Sequence, residues 1–371
     1  MSQSAIENPR SKGNAWRIPV VVGILYVFIL SINLLGHSFS LFGSDFANKI
    51  LVTTSNPFLG LFLGILATSL IQSSSTTTAI VVGLVAAGSL SLSNAIPIIM
   101  GANIGTTVTN LLVSFAHATR RAEFRRAFSA AVVHDIFNVS TVAILFPLEL
   151  YFHPIEQSAI FLQRGFAGIG GMNLFNPLKY IIDPVISIIE RILLLLPYSA
   201  AIMAVLSLVL LFASLAMLVQ NLRKLIVGRV EVIIDRYLFG KDLTSMLLGA
   251  GLTAVVQSSS VTTSMIVPLA GAGILTTRQV YPFTLGANVG TTVTAAIAAL
   301  ATSDPIAVTA AFSHLMFNIF GICIFYPLKA FPISLAEHIG EFAGQSQSRV
   351  FMVIGGFVAL FTIPLLVFIF W

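Results

Sequence analysis

The chain has 371 residues, of which 57% are hydrophobic and 9% charged, with a mean hydropathy of +0.97 and a formal net charge of +5. Because soluble globular proteins carry roughly 25% charged residues, this composition excludes a water-soluble domain and predicts an integral membrane protein. The small positive balance does not indicate nucleic-acid binding, since the basic residues form short clusters between apolar runs.

The chain opens with a short polar segment at 1–12, followed by an apolar run at 18–35. No small-residue cleavage site follows this run, so we interpret it as a retained first span rather than a signal peptide. A helix needs about 20 residues to cross the hydrocarbon layer. Full spans are therefore predicted near 17–36, 94–116, 126–150, 197–221, 280–302, 306–330 and 350–371, and 181–196 could form an additional helix.

Two further segments, 57–91 and 243–276, are polar at their centres and long enough for two short helices each. The centres read QSSSTTT at 72–78 and QSSSVTT at 257–263. Backbone that carries so many polar groups is tolerated at membrane depth only where it is buried in protein or lines a wet cavity. We therefore predict two re-entrant hairpins, each of which enters and leaves the membrane on one side.

The basic clusters set the orientation through the positive-inside rule. Arg10, Lys12 and Arg17 place the N-terminus in the cytoplasm, and the arginines at 120–126 form a basic cytoplasmic loop after the next full span. A further basic group at 223–241 follows the span 197–221, so that 151–196 becomes an external segment. On this count the first hairpin opens outward and the second inward.

The second half of the chain repeats the first. The QSSS of 72–75 recurs at 257–260, and GANIGTTVT at 101–109 returns at the same offset as GANVGTTVT at 286–294. His134 and Asn138 recur, at a slightly shorter offset, as His314 and Asn318. We therefore predict an all-α polytopic membrane protein with two inverted-topology repeats, each with a re-entrant helical hairpin and a broken transmembrane helix. Many secondary transporters have this architecture, with their ligand sites where the repeats meet.

These patterns divide the chain into five parts. They are an N-terminal tail and first transmembrane helix at 1–56, repeat 1 at 57–150, an external segment with a linking span and a basic loop at 151–242, repeat 2 at 243–330, and a C-terminal transmembrane helix at 331–371.

The repeated polar positions hold Gln, Ser, Thr, Asn and Gly, without the spacing of a hydrolase or a metal cluster, and the lone Cys323 excludes a disulfide within the chain. An isolated Ser or Thr in a membrane helix usually bonds back to its own helix, but six hydroxyls after a Gln, recurring as a motif, indicate a ligand site. Hydroxyls and amides donate to anions, while neutral oxygens suit a hard cation such as Na⁺. Two opposed serine segments could surround a tetrahedral oxyanion. Bound Na⁺ would then supply the positive charge, which makes the two ligands interdependent, as cotransport requires.

Asp135, in VVHDIFN, is the most informative single charge. An acid in a membrane segment is costly and is a functional candidate by default. Its repeat mate is Leu315, so its role is not duplicated. The alternative is an acid at a helix end, neutralised by Arg125 or Arg126. The roles of Arg120 and of the paired His134 and His314 stay open.

Together these motifs resemble the type II sodium–phosphate cotransporter family. The resemblance rests on the QSSS pair, the GANxGTT after each, FRRAF at 124–128, VHDIFN at 133–138 and the FPLE and YPLK ends, and it covers about 57–150 and 243–330. It implies a Na⁺-driven symporter of inorganic phosphate, not an enzyme, that works by alternating access. An Asp in the HD position marks electrogenic members of that family, so the resemblance also implies net charge movement through Asp135.

The resemblance further implies the binding residues. For phosphate they are Gln72, Ser73, Ser74, Ser75, Gln257, Ser258, Ser259 and Ser260. For sodium they are Asn103, Thr106, Asp135, Asn138, Asn288, Thr291 and Asn318.

The chain departs from the family in two places. Vertebrate relatives carry a large disulfide-bonded external loop, whereas 151–196 is short and has no Cys. Some relatives have an acid before FRRAF, where this chain has Arg120. The compact chain predicts a multi-pass protein of a bacterial cytoplasmic membrane, with phosphate, Na⁺ and lipid as partners, no nucleic acid, and a homodimer as a compatible assembly.

Other functions stay open on the residues alone. A Na⁺-coupled transporter of sulfate, arsenate or a carboxylate would need the same donors. An anion channel would need a continuous pore rather than two opposed hairpins. A membrane phosphatase would need a nucleophile with a base or a metal, and the few His and acidic residues lack that spacing.

Overall fold

The computed structural model describes residues 17–171, 176–237 and 241–370, and the regular structure there is α-helical throughout. The helices are α1 Arg17–Leu41, α2 Ser44–Thr54, α3 Pro57–Ile71, α4 Ser74–Ala86, α5 Leu92–Gly105, α6 Thr107–Phe115, α7 Arg121–Phe152, α8 Pro154–Gly168, α9 Asn176–Leu193, α10 Ser199–Tyr237, α11 Asp242–Val256, α12 Ser259–Ser264, α13 Val267–Gly271, α14 Thr277–Thr302, α15 Pro305–Phe325, α16 Ala330–Gly344 and α17 Gln347–Phe370.

Six segments of the described chain are long and apolar enough to cross a membrane. They lie in α1, α5 with α6, α7, α10, α14 and α15. The prediction of an all-α polytopic membrane protein is thus confirmed. The seventh predicted span, 350–371, falls in α17, and Arg10 and Lys12 lie outside the described residues.

Both predicted hairpins are present as pairs of helices joined by a two-residue tip. The tip of α3 and α4 is Gln72 and Ser73, and that of α11 and α12 is Gln257 and Ser258. Each glutamine ends its helix in the left-handed conformation, with φ of 57° and 56°, and each serine then turns extended and caps the next helix. The chain therefore reverses without a glycine or proline at either tip.

The first arm of each hairpin packs closely against the following span of its own repeat, α3 on α5 and α11 on α14. Glycines at equivalent positions of the two repeats make this approach, because a Cβ at any of them would collide with the facing backbone. Such small-residue contacts are typical of membrane helix packing. The clashes would be Gly64 with Ile98, Gly101 with Leu61, Gly249 with Phe283 and Gly286 with Met246. The two repeats thus share one packing plan, while their inversion in the membrane stays a prediction.

The second arms contact both repeats. Helix α4 packs on α5 of its own repeat and on α14 and α15 of the other, whereas α12 packs on α14 of its own repeat and on α6 of the other, and α13 packs on α7. The tips therefore meet at the interface between the repeats.

A broken transmembrane helix is predicted in each repeat, but the first repeat shows only a one-residue interruption within a single span and the second shows none in its equivalent span. In the first repeat the span divides into α5 and α6 at Thr106, whereas α14 runs unbroken from Thr277 to Thr302. The second repeat is interrupted earlier, in the hairpin arm between α12 and α13, just before Pro268. Proline removes a backbone donor and disfavours helical geometry at the residue before it.

Three segments differ from their predicted form. The prediction that residues 120–126 form a loop is wrong, because α7 begins at Arg121 and FRRAF is helical. Phe124 and Phe128 in this segment are buried and stacked, with their ring centroids 5.3 Å apart. The segment 151–196, predicted to be external, holds two helices, α8 and α9, and α9 covers most of the additional helix considered at 181–196. The C-terminal part, predicted as one transmembrane helix, contains α16 packed on α7 in addition to α17.

Candidate functional site

The two hairpin tips touch each other where the repeats meet. The hydroxyl of Ser75 donates to the backbone oxygen of Gln257 at 3.1 Å. Ser73 and Ser258 accept the backbone N–H groups of Thr76 and Val261, at 3.2 and 3.3 Å, as N-caps of α4 and α12. A capping serine satisfies one of the free N–H groups of its helix, and its own hydroxyl proton stays available.

A cavity of about 320 Å³ opens beside the tips, between them and α10. Its volume suits a small ligand, and none of its lining residues is charged. Gln257 faces this cavity with its side-chain oxygen buried and without a hydrogen-bond partner in the described part of the chain. The lining consists of Ile71, Ser73, Thr76, Phe212, Leu215, Ala216, Gln220, Gln257 and Ser258.

The predicted phosphate residues are therefore brought together, with one difference. Ser73, Gln257 and Ser258 line the cavity. The other serines, Ser74, Ser75, Ser259 and Ser260, lie buried in the first turns of α4 and α12. Gln72 is exposed and is not part of the cavity lining, so the two glutamines are not equivalent.

The predicted sodium residues form two clusters that cross the repeat interface. Asn288 lies 2.8 Å from His134 through its side-chain oxygen and donates to Asn138 at 2.9 Å. In the second cluster His314 lies 3.2 Å from the side-chain oxygen of Asn103. In both, a histidine of one repeat meets the GANxGTT asparagine of the other.

Thr106 and Thr291 lie one turn beyond those asparagines. Their hydroxyls donate to the carbonyls of Ala102 and Ala287, at 3.2 and 3.0 Å. This back-bonding is common for threonine in membrane helices, and it leaves the hydroxyl oxygen able to accept or to coordinate a cation.

Asp135 lies in the middle of α7 and is 13% exposed. Its Oδ1 lies 3.5 Å from His134 Nδ1, and that oxygen has no hydrogen-bond partner among the described residues. The alternative of an acid neutralised by nearby arginines is wrong. Arg126 donates to the carbonyl of Gly271 at 2.7 and 2.9 Å, and Arg125 lies 3.7 Å from Glu341.

Arg120, whose role was open, precedes α7 and lies 3.0 Å from Glu123 on the surface. His117 lies 3.3 Å from the same carboxylate. An acid is thus present beside FRRAF, directly before Phe124.

Sequence reasoning missed two parts of the site. It left His134 and His314 without a role, although each binds an asparagine of the opposite repeat. It did not single out Asn110, which accepts the hydroxyl of Thr263 at 2.8 Å and so ties α6 to the second tip. The recurrence of His134 as His314 at equivalent positions of the two repeats was the sequence signal that could have indicated a role for both histidines.

A second cavity, of about 620 Å³, lies at the other end of α4. Gly83 and Ala87 line it, together with His37, Asp183 and Asp304. The helix between the two cavities is buried in the apolar core, where Ala79 and Val82 are fully enclosed.

Comparison with known proteins gives consistent matches. The chain matches the family model described as Na⁺/Pi-cotransporter over residues 27–173 and 210–332. It is 35% identical to sodium-dependent phosphate transport protein 2A of Rattus norvegicus over 95% of this chain and 67% of that protein. It is 34% identical to the 2A protein of Ovis aries, with the same coverage, and 32% identical to the 2B protein of Homo sapiens over 95% of this chain and 65% of that one. The chain thus spans about two thirds of the length of these relatives. No solved structure matches it significantly.

Proposed function

Since the chain belongs to the Na⁺/Pi-cotransporter family, we propose that it is a secondary active symporter that couples inward Na⁺ flux to the uptake of inorganic phosphate. The family is one of transporters rather than enzymes, so a phosphatase is not favoured. The relatives are named as sodium-dependent phosphate transport proteins, which favours phosphate over sulfate, arsenate or a carboxylate.

The observation that carries the proposal is the meeting of the two serine tips at the repeat interface. The tips line one uncharged cavity with Ser73, Gln257 and Ser258. A multivalent anion in such a site has hydroxyl donors but no fixed cation, so bound Na⁺ must balance its charge. This requirement makes phosphate binding depend on sodium.

The buried asparagines and Asp135 are the proposed sodium ligands. Amide and carboxylate oxygens are hard donors that suit Na⁺. Asp135 would supply the only negative charge among them, and its unpartnered oxygen beside the first cluster supports that role. If one net charge crosses per cycle, the membrane potential contributes about 2.3 kcal/mol per 100 mV.

Alternating access is the proposed mechanism. The cavity at the tips and the cavity at the far end of α4 lie on opposite sides of a buried apolar stretch. We infer that the tips are open to one side in this conformation, and that Na⁺ and phosphate stabilise an occluded state by differential affinity. The basic clusters support a cytoplasmic N-terminus. We place the protein in a bacterial cytoplasmic membrane, with a homodimer as the assembly to test.

The test is uptake of labelled phosphate into proteoliposomes under an inward Na⁺ gradient, with an equal K⁺ gradient as the control. We expect accumulation only with Na⁺, faster with an inside-negative potential, and inhibited by unlabelled phosphate more than by sulfate. Folded protein without sodium-dependent phosphate uptake would overturn the proposal. Stronger inhibition by another oxyanion would reassign the substrate.

A further inference from the structure

Two histidine–asparagine triads cross the repeat interface. The first triad is His134, Asn138 and Asn288, and the second triad is its repeat counterpart, His314, Asn318 and Asn103. All six side chains are at most 4% exposed. Each triad therefore has to satisfy its polar atoms internally or with a bound ligand.

The first triad is a closed ring. His134 Nε2 donates to Asn288 Oδ1 at 2.8 Å, and Asn288 Nδ2 donates to Asn138 Oδ1 at 2.9 Å. Asn138 Nδ2 lies 3.3 Å from His134 Nδ1 and 3.2 Å from Nε2, and Asp135 Oδ1 lies 3.5 Å from Nδ1. Because Nε2 donates to Asn288, we assign Nδ1 as the ring nitrogen that accepts from Asn138. The ring engages both amide oxygens.

The second triad holds the same residues but is open. His314 Nε2 lies 3.2 Å from Asn103 Oδ1, as in the first triad. The amide of Asn103 instead donates to Ile99 of its own helix, and that of Asn318 to the carbonyl of His314. As a result, His314 Nδ1 and Asn318 Oδ1 have no hydrogen-bond partner in the described part of the chain.

This difference between equivalent positions suggests a change of state. Rotation of the Asn103 and Asn318 amides would build in the second triad the ring that the first already has. Transporters with inverted repeats move one repeat against the other around a fixed site as they change sides. We propose that His134 and His314 are positioning residues for the asparagines of the opposite repeat, and that the second triad closes when the first opens. The inference rests on the proposed alternating access.

The triads also connect this movement to sodium. Closing a ring engages the amide oxygen that an open triad leaves free, and in the open triad that oxygen is Asn318 Oδ1. Only the open triad would therefore offer a free amide oxygen to Na⁺, and which triad does so would change when the protein changes state.

The test compares Asn138→Ala with Asn318→Ala, two substitutions at equivalent positions. Asn138→Ala removes bonds of the closed ring, whereas Asn318→Ala removes only a bond within its own helix and the bond expected in the other state. The reporter is Ala216→Cys at the tip cavity, in a Cys323→Ser background, since Cys323 is exposed. The measurement is its rate of labelling by a small soluble maleimide in proteoliposomes, with Na⁺ and phosphate present so that both states are populated.

We expect opposite shifts. Asn138→Ala should slow labelling about fivefold, the effect of one net hydrogen bond on the population of a state, and Asn318→Ala should accelerate it. Shifts in the same direction, or no shift in either variant, would overturn the inference.

A conservative variant tests the positioning role separately. His314→Ala should raise the apparent KM for Na⁺, and His314→Gln, whose amide can still donate to Asn103 Oδ1, should restore it, with little change in the KM for phosphate. No rescue, or an equal rise in both constants, would contradict positioning. Phosphate uptake by the parent protein is measured in the same vesicles. Its loss there would refute the proposed function rather than the triads.

Discussion

The first residues of α4 and α12, Ser74 and Ser259, allow a direct test of the proposed phosphate site. Ser74 and Ser259 are each 3% exposed and lie in the first turns of α4 and α12, next to Ser73 and Ser258, which line the cavity at the tips. Hydroxyls in this position are suited to donate to a bound anion. Ser74→Ala and Ser259→Ala should each lower kcat/KM for phosphate roughly 10- to 100-fold, the range for a lost hydrogen bond to a charged group.

The matched control is Ser264→Ala, in the same hairpin arm as Ser259. Its hydroxyl bonds back to the carbonyl of Val261 at 2.9 Å, so its loss should leave uptake close to that of the parent. Sodium-dependent uptake that is unchanged in both site variants would show that these hydroxyls do not hold phosphate.

Asp135 carries a prediction about charge rather than affinity. Asp135→Asn keeps the size and the polar atoms of the side chain but removes the charge beside His134. We expect phosphate uptake to continue without a potential, while the charge moved per phosphate falls and the acceleration by an inside-negative potential is lost. Current and labelled uptake measured on the same vesicles give this ratio. A variant that keeps the full current per phosphate would rule out the role.

The sequence identified which polar residues belong to the site, but not which residues they contact. Two QSSS motifs in apolar surroundings were sufficient to locate the tips, because so many hydroxyls cannot face lipid. The exposure of Gln72 and the burial of Gln257 could not be predicted, since the QSSS motifs are identical and the difference arises from tertiary packing. The histidine–asparagine pairs depend on contacts between residues of different repeats, far apart in the chain, which a single sequence does not contain.

At the element scale, the glycine contacts of the hairpins can be tested with a control in the same helix. Gly249 and Gly251 both lie in α11, but a Cβ on Gly249 would collide with the backbone of Phe283, whereas one on Gly251 would meet no atom within 4 Å. Gly249→Ala should destabilise the protein by about 1–3 kcal/mol, the usual cost of overpacking. Gly251→Ala should leave stability equal or raise it, since alanine favours helix more than glycine does.

Thermal unfolding of both variants in the same detergent checks this prediction. Equal midpoints would mean that α11 and α14 can move apart at no cost. In that case the close glycine contact between α11 and α14 would not stabilise the position of the hairpin.

The element boundaries show where sequence patterns fail. Both hairpins were predicted, because a polar centre inside an apolar segment has to be buried in protein or line a wet cavity. The start of α7 was not, since arginines next to an apolar run were interpreted as a loop, although Phe124 and Phe128 at helical spacing give the segment a buried face. A broken helix was expected in the second repeat, but α14 is continuous, and the glycines of the GANxGTT segments serve close packing in both repeats.

At the scale of the whole molecule, the opposite orientation of the repeats is the assumption on which alternating access depends. Both repeats share a packing plan, and the second hairpin arm of each also packs on the other repeat, which is compatible with a two-fold relation in the membrane plane. Ala87 and Ala272 provide matched positions in the two repeats, each ending its hairpin just before a glycine with positive φ, Gly88 or Gly273. In right-side-out vesicles, Ala87→Cys should react with a membrane-impermeant maleimide, and Ala272→Cys should react only after the membrane is permeabilised, both in the Cys323→Ser background. Labelling of both cysteines from one side would show that the two hairpins have the same orientation in the membrane. Inverted repeats could then not explain how the cavity at the tips opens first to one side and then to the other.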